Sequence, residues 1–184
     1  MDAQRRQLLK GAGLVLAYVV GGKTVMLSPA QARAKGMPLD ALSSAQNSTL
    51  ESLAEALVPG SKTAGISHYI DKQLTATTSE CLLMLRYLGV APPFSGFYSA
   101  ALTAAEKFAH SQFGISSSKL NGEQAELWVQ QMASDGVENW QGPPASFFYF
   151  VLRADATDVT YGTQQGFAKL GIPYSAHIQP KQDW

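Results

Sequence analysis

Pro143-Pro144-Ala145-Ser146-Phe147-Phe148-Tyr149-Phe150-Val151-Leu152 is the stretch that decides the fold. A proline pair can precede a helix but cannot sit inside one, and the run Phe147 to Leu152 behind it is apolar on every side of a helix. Such a helix has no face suited to water, so it is expected at the centre of the molecule or under a partner. Further along the same helix Asp155 and Asp158, at i and i+3, share one face. With Arg153 nearby, the pair reads as a solvated or interfacial ion-pair cluster rather than as an acid and a base.

Working outward, the same helical period recurs. Ser43 or Ser44 can cap a helix over about 45–58, with Leu50, Leu53, Leu57 and Val58 on one face and Pro59-Gly60 as its stop. Ile66, Tyr69, Ile70 and Leu74 continue the period, and Cys81 to Leu88 is a denser apolar run ending at Gly89, expected as a second core helix. After Pro92-Pro93 a long helix carries Phe97, Leu102, Ala105 and Phe108 and closes near Phe113-Gly114. Asn121 caps the next, with Glu123 and Glu126 near its positive end and Leu127, Val129 and Met132 as its apolar contacts, and it stops before Gly136.

No two alternating runs joined by a tight turn stand out, so the class expected is all-α: a compact single-domain helical bundle. From Gly162 onward Gly166, Gly171, Pro173 and Pro180 punctuate a segment that still carries Phe167, Leu170, Ile172, Tyr174, Ile178 and Trp184. This irregular Gly/Pro/aromatic tail is costly to expose and is expected to wrap the core or dock on another chain.

The beginning of the chain reads as an address. Arg5 and Arg6, followed by a polar residue, two leucines and Lys10, resemble the twin-arginine translocation signal. The run Gly11 to Val20 is too short and Gly-diluted for a membrane span, which needs roughly 20 apolar residues, and fits a signal peptide. Two overlapping small-x-small sites follow, and cleavage is expected after Ala32 or Ala34. The organisation is then a cleaved signal over 1–34 and one helical domain over 35–184.

Composition excludes several function classes. In 184 residues the 14 Lys and Arg balance the 14 Asp and Glu, and no basic face for nucleic acid is signalled. Cys81 is alone, so no internal disulfide can form; it is either a buried apolar residue or a thiol that bridges to a partner chain. His68, His110 and His177 lie far apart without a second ligand at helical spacing, and no zinc, iron-sulfur or haem pattern occurs. Gly11-x-Gly13 lacks the third glycine and the preceding strand of a dinucleotide fingerprint, and no nucleophile elbow or phosphate loop is present. No catalytic site, metal site or cofactor is expected in this chain. A folded-protein export route without a cofactor suggests that the chain travels with a partner.

Three stretches carry a family resemblance: Leu53-Ala54-Glu55-Ala56-Leu57-Val58-Pro59-Gly60, Gly65-Ile66-Ser67-His68-Tyr69-Ile70-Asp71-Lys72-Gln73-Leu74, and Tyr161-Gly162-Thr163-Gln164-Gln165-Gly166-Phe167-Ala168-Lys169-Leu170-Gly171-Ile172-Pro173-Tyr174. In order and spacing they resemble the gluconate 2-dehydrogenase subunit 3 family, the small subunits of membrane-bound flavin-dependent sugar and alcohol dehydrogenases. The resemblance implies a complex with a large flavoprotein of the glucose-methanol-choline (GMC) type, which holds FAD, and a multihaem cytochrome c, which holds haem c. It implies a periplasmic location, bound to the inner membrane through the complex. It also implies that the small subunit supplies the signal read by the twin-arginine translocase, in a chaperone-like escort role. The family offers no catalytic residues to carry over. Phe147, Phe148 and Phe150 on the central helix, with Tyr161, Phe167, Leu170, Tyr174 and Trp184 in the tail, are the residues expected to meet the large subunit. Two other readings are a subunit that lends His68 or His177 to an active site at the boundary, and a free periplasmic binding domain.

Overall fold

A computed structural model of the chain describes residues 15–20 and 22–173. Arg5, Arg6, Tyr174, His177 and Trp184 lie outside the described residues. A hairpin of β1 (Leu16–Val20) and β2 (Lys23–Leu27) leads into α1 (Pro29–Ala34). The helical domain follows with α2 (Ser44–Leu57), α3 (Ser61–Ala64), α4 (Ile66–Thr75), α5 (Met84–Tyr87) and α6 (Ser95–Phe113). After a 3-10 turn at Ser117–Lys119 come α7 (Gly122–Ala133), α8 (Ala145–Tyr161) and α9 (Gln164–Lys169).

Local chemistry places these boundaries. Ser43 caps α2 and Asn121 caps α7, each in a reciprocal box with a glutamine three residues on, Gln46 and Gln124. Each box satisfies backbone N–H groups that the first helical turn leaves free. Gly114, at φ 71°, closes α6 in the left-handed conformation that favours glycine.

The central position of α8 is as the sequence predicts. It packs against α2, α3, α4, α5, α7 and α9. Phe148, Val151, Leu152, Asp155, Ala156 and Val159 are buried along it at helical spacing. Phe97 and Tyr98 of α6 meet Phe148 edge-on with ring centroids 6.1 and 5.9 Å apart. The helix is not enclosed all round, however: Phe150, Arg153 and Thr157 face solvent.

Four expectations need correcting. The fold is mostly helical but not all-α, because β1 and β2 pair antiparallel from Leu16↔Leu27 to Val20↔Lys23. Gly21-Gly22 between two short runs is a hairpin signal, and Gly22 has φ 75°. Leu16 and Tyr18 turn inward while Ala17 and Val19 turn outward, the two-residue period of a strand. Second, Cys81 to Leu88 is not one core helix. Only Met84–Tyr87 is helical, and Leu82, Tyr87 and Leu88 are exposed. Third, the segment after Gly162 is not wholly irregular, since Thr163 accepts from Gly166 N–H and caps α9. Fourth, α7 buries Trp128 and Met132, whereas Leu127 is exposed.

Candidate partner interface

Five carboxylates of the domain, Asp155, Asp71, Glu55, Glu106 and Asp135, accept from backbone N–H groups of other segments. Asp155 is fully buried on α8, where one carboxyl oxygen accepts from Met84 N–H at 2.8 Å and the other from the Tyr98 hydroxyl at 2.6 Å. It therefore pins α5 and α6 to the central helix and is no part of a surface ion-pair cluster. Burial pushes its carboxyl up to about 7 against the pull of both donors. Asp158 is also raised by burial. Asp71 on α4 takes the N–H groups of Asp40, Ala41 and Leu42 on one carboxylate. Glu55 takes those of Gly60 and Lys62, at the turn between α2 and α3. Glu106 accepts from Thr49 and Ser117, and those hydrogen bonds hold its carboxyl below the usual range although burial opposes them. Asp135, at φ 54°, accepts from the N–H and hydroxyl of Ser146 at the start of α8.

The two described histidines and the cysteine also have partners or are buried. His68 is turned inward, with its Nε2 3.0 Å from the Met37 carbonyl. His110 lies on the surface of α6, 3.3 Å from Glu106 one turn before it. Cys81 is 1% exposed and its thiol is pushed up, chiefly by burial. That geometry favours packing over a bridge to another chain. Among the described residues no group of three or more His, Cys, Asp and Glu could hold a metal ion.

The aromatic wall divides between core and surface. Phe148 is completely buried in this chain's own core, and Phe147 packs edge-on to Phe97 with centroids 5.7 Å apart. Phe150 is 42% exposed. Nearby on the same helix the Arg153 guanidinium lies over the Tyr149 ring, 5.3 Å from its centroid. At the far end Tyr161 packs against the core while Leu170 and Ile172 are about half exposed. Phe150 and Tyr161 stand eleven residues apart, so the two expected contact regions are separated by roughly 16 Å along one helix. A partner that touches both must span α8. Leu82, Tyr87, Leu88 and Leu127 are further exposed apolar residues that the sequence reading placed inside, and Phe167 is half-buried.

How α9 is seated explains one glycine of the tail. A Cβ at Gly166 would lie 2.6 Å from the Thr160 carbonyl oxygen and as close to the backbone of Tyr161. Only glycine allows α9 to lie this near the end of α8. Gly166→Ala is expected to lift α9 and to cost about 1–3 kcal/mol, read as a lowered midpoint in urea with the helical circular dichroism of the rest retained.

The family model of gluconate 2-dehydrogenase subunit 3 matches residues 44–177, from the start of α2 into the tail. No curated protein and no solved structure matches the chain. No helix among the described residues is long and apolar enough to cross a membrane.

Proposed function

Because the chain belongs to the gluconate 2-dehydrogenase subunit 3 family, a family of subunits of multi-subunit dehydrogenases, we propose that it is the non-catalytic small subunit of such a complex, acting in maturation, stability and export of a large flavoprotein. In this reading the complex is periplasmic and attached to the inner membrane. It oxidises a sugar, a sugar acid or an alcohol at FAD in the GMC-type large subunit and passes electrons to a multihaem cytochrome c. The twin-arginine pair at Arg5 and Arg6 supplies the export signal for both proteins. The observation that carries the reading is the family match over most of the helical domain. Two features of the structure support it: buried carboxylates and His68 serve the backbone, and exposed apolar side chains at Phe150, Leu170 and Ile172 leave surface for a partner.

Purification of the tagged chain from cells expressing the whole complex tests this. Flavin absorbance and dehydrogenase activity are expected to co-elute with it, and their absence would refute the reading. Phe150→Asp and Leu170→Asp, each at an exposed position, are expected to keep the helical circular dichroism. Each is expected to weaken retention of the large subunit by about 2 kcal/mol, some thirtyfold. Unchanged retention in both would move the interface elsewhere on the surface.

A further inference from the structure

The segment that carries the small-residue cleavage sites does not hang free of the domain. It precedes the family-matched region and folds back onto it. Leu16, Tyr18, Leu27 and Ala32 form a small core of their own, with Val25 and Met37 packed against it. The seat beneath is built by α3 and α4, with Glu51 of α2 reaching in from the side. Gly65, at φ 87°, opens α4, and a Cβ there would overlap the Pro29 carbonyl, so the backbone of α1 rests directly on a glycine. Lys72 of α4 lies over the Tyr18 ring, 4.7 Å from its centroid, and pairs with Asp40. Glu51 of α2 accepts from Arg33 on both oxygens, at 3.2 and 3.5 Å, and pairs with Lys62 at 3.2 Å on the second. His68 and Asp71 then fix the chain from Met37 to Leu42 as it leaves.

This docking acts directly on the bond after Ala32, and on the bond after the exposed Ala34 through Ala32, the buried small residue two positions before it. Ser28 caps α1 in a reciprocal box with Gln31, and Ala32 within it has no exposed surface. The carbonyl of Ala32, part of the bond after it, accepts from Met37 N–H at 3.0 Å, and that of Arg33 accepts from Gly36 N–H. A peptidase that binds its substrate as an extended strand cannot take up a capped helix whose key small side chain is buried. Cleavage then follows the population in which the segment is undocked and unwound.

We infer that residues 16–34 are a docked arm that closes the bonds after Ala32 and Ala34 in the folded chain, so that the exported protein keeps them as part of its fold. A route that carries folded proteins makes the order of events consistent, since the arm docks before the chain reaches the outer side. Retention of the arm after export presupposes the export proposed above; its docking does not depend on any partner.

Intact-mass measurement of the chain recovered from the exported fraction tests it, alongside Leu16→Ser/Leu27→Ser, which removes two apolar contacts of the arm. The unsubstituted chain is expected to retain residues 16–34, and the double variant to be shortened to begin at Arg33 or Lys35. An unsubstituted chain beginning at either residue overturns the proposal, as does a variant that is cut no more than the original. Hydrogen exchange on the purified full-length chain tests docking without export. Protection of the Ala32 and Met37 amides comparable to that of α4 supports the arm, and exchange at the rate of a free peptide overturns it.

Discussion

Asp155→Ala is expected to destabilise the fold by on the order of 3–5 kcal/mol, because it strands two buried donors, the Met84 N–H and the Tyr98 hydroxyl, and leaves a cavity beside them. Asp155→Asn is the more informative variant, since the amide has the shape of the protonated acid. The carboxyl of Asp155 is raised to about 7 in the folded chain, first by desolvation, from the ordinary carboxylate value of the unfolded one. The folded state therefore binds this proton more tightly. Its contribution to stability is fully present in acid below the unfolded pKa and is lost as pH rises through about 7. Between pH 4 and pH 8 the original chain is expected to lose on the order of 3 kcal/mol relative to Asp155→Asn, measured by urea denaturation at each pH. Glu106 works in the opposite direction. Its lowered carboxyl contributes stability that disappears in acid, but it does so in both chains and cancels from the comparison. Parallel stability curves for the two chains would show that Asp155 is not the group described.

The reach of sequence reading here follows from what each feature depends on. Ser43, Asn121 and Pro143-Pro144 mark helix starts through chemistry confined to a few neighbouring residues, and those helices lie where expected. The Cys81 to Leu88 run has Arg86 as its one charged residue, too few to set a period that separates helix from extended chain. The arrangement there is set instead by Asp155, seventy-one residues away. Asp71 reaches thirty-one residues back to Asp40 in the same manner. Such bonds leave no local signal. Gly21-Gly22 marks a hairpin turn, but the adjoining apolar run also suits a signal peptide, so the same residues carry two competing patterns. At the candidate interface, composition identified α8 correctly as central but could not divide its aromatics. Phe148 faces the core, where Phe97 and Tyr98 of α6 meet it, and Phe150 faces water, a division set by the packing of other elements around the helix.

The second large effect concerns Arg5 and Arg6, the proposed export signal. Arg5→Lys/Arg6→Lys keeps the charge at these positions but removes two planar guanidinium forks, and a receptor that reads paired guanidinium groups does not accept ammonium groups in their place. If the chain escorts its partner, the loss falls on both proteins. Co-expression of this variant with the large flavoprotein subunit, followed by assay of FAD-dependent dehydrogenase activity in cytoplasmic, periplasmic and membrane fractions, tests the central claim most directly. The account predicts that exported activity falls to background while active flavoprotein accumulates in the cytoplasm. Exported activity at the level of the unsubstituted pair would contradict it, because the flavoprotein would then reach its destination without this chain's signal.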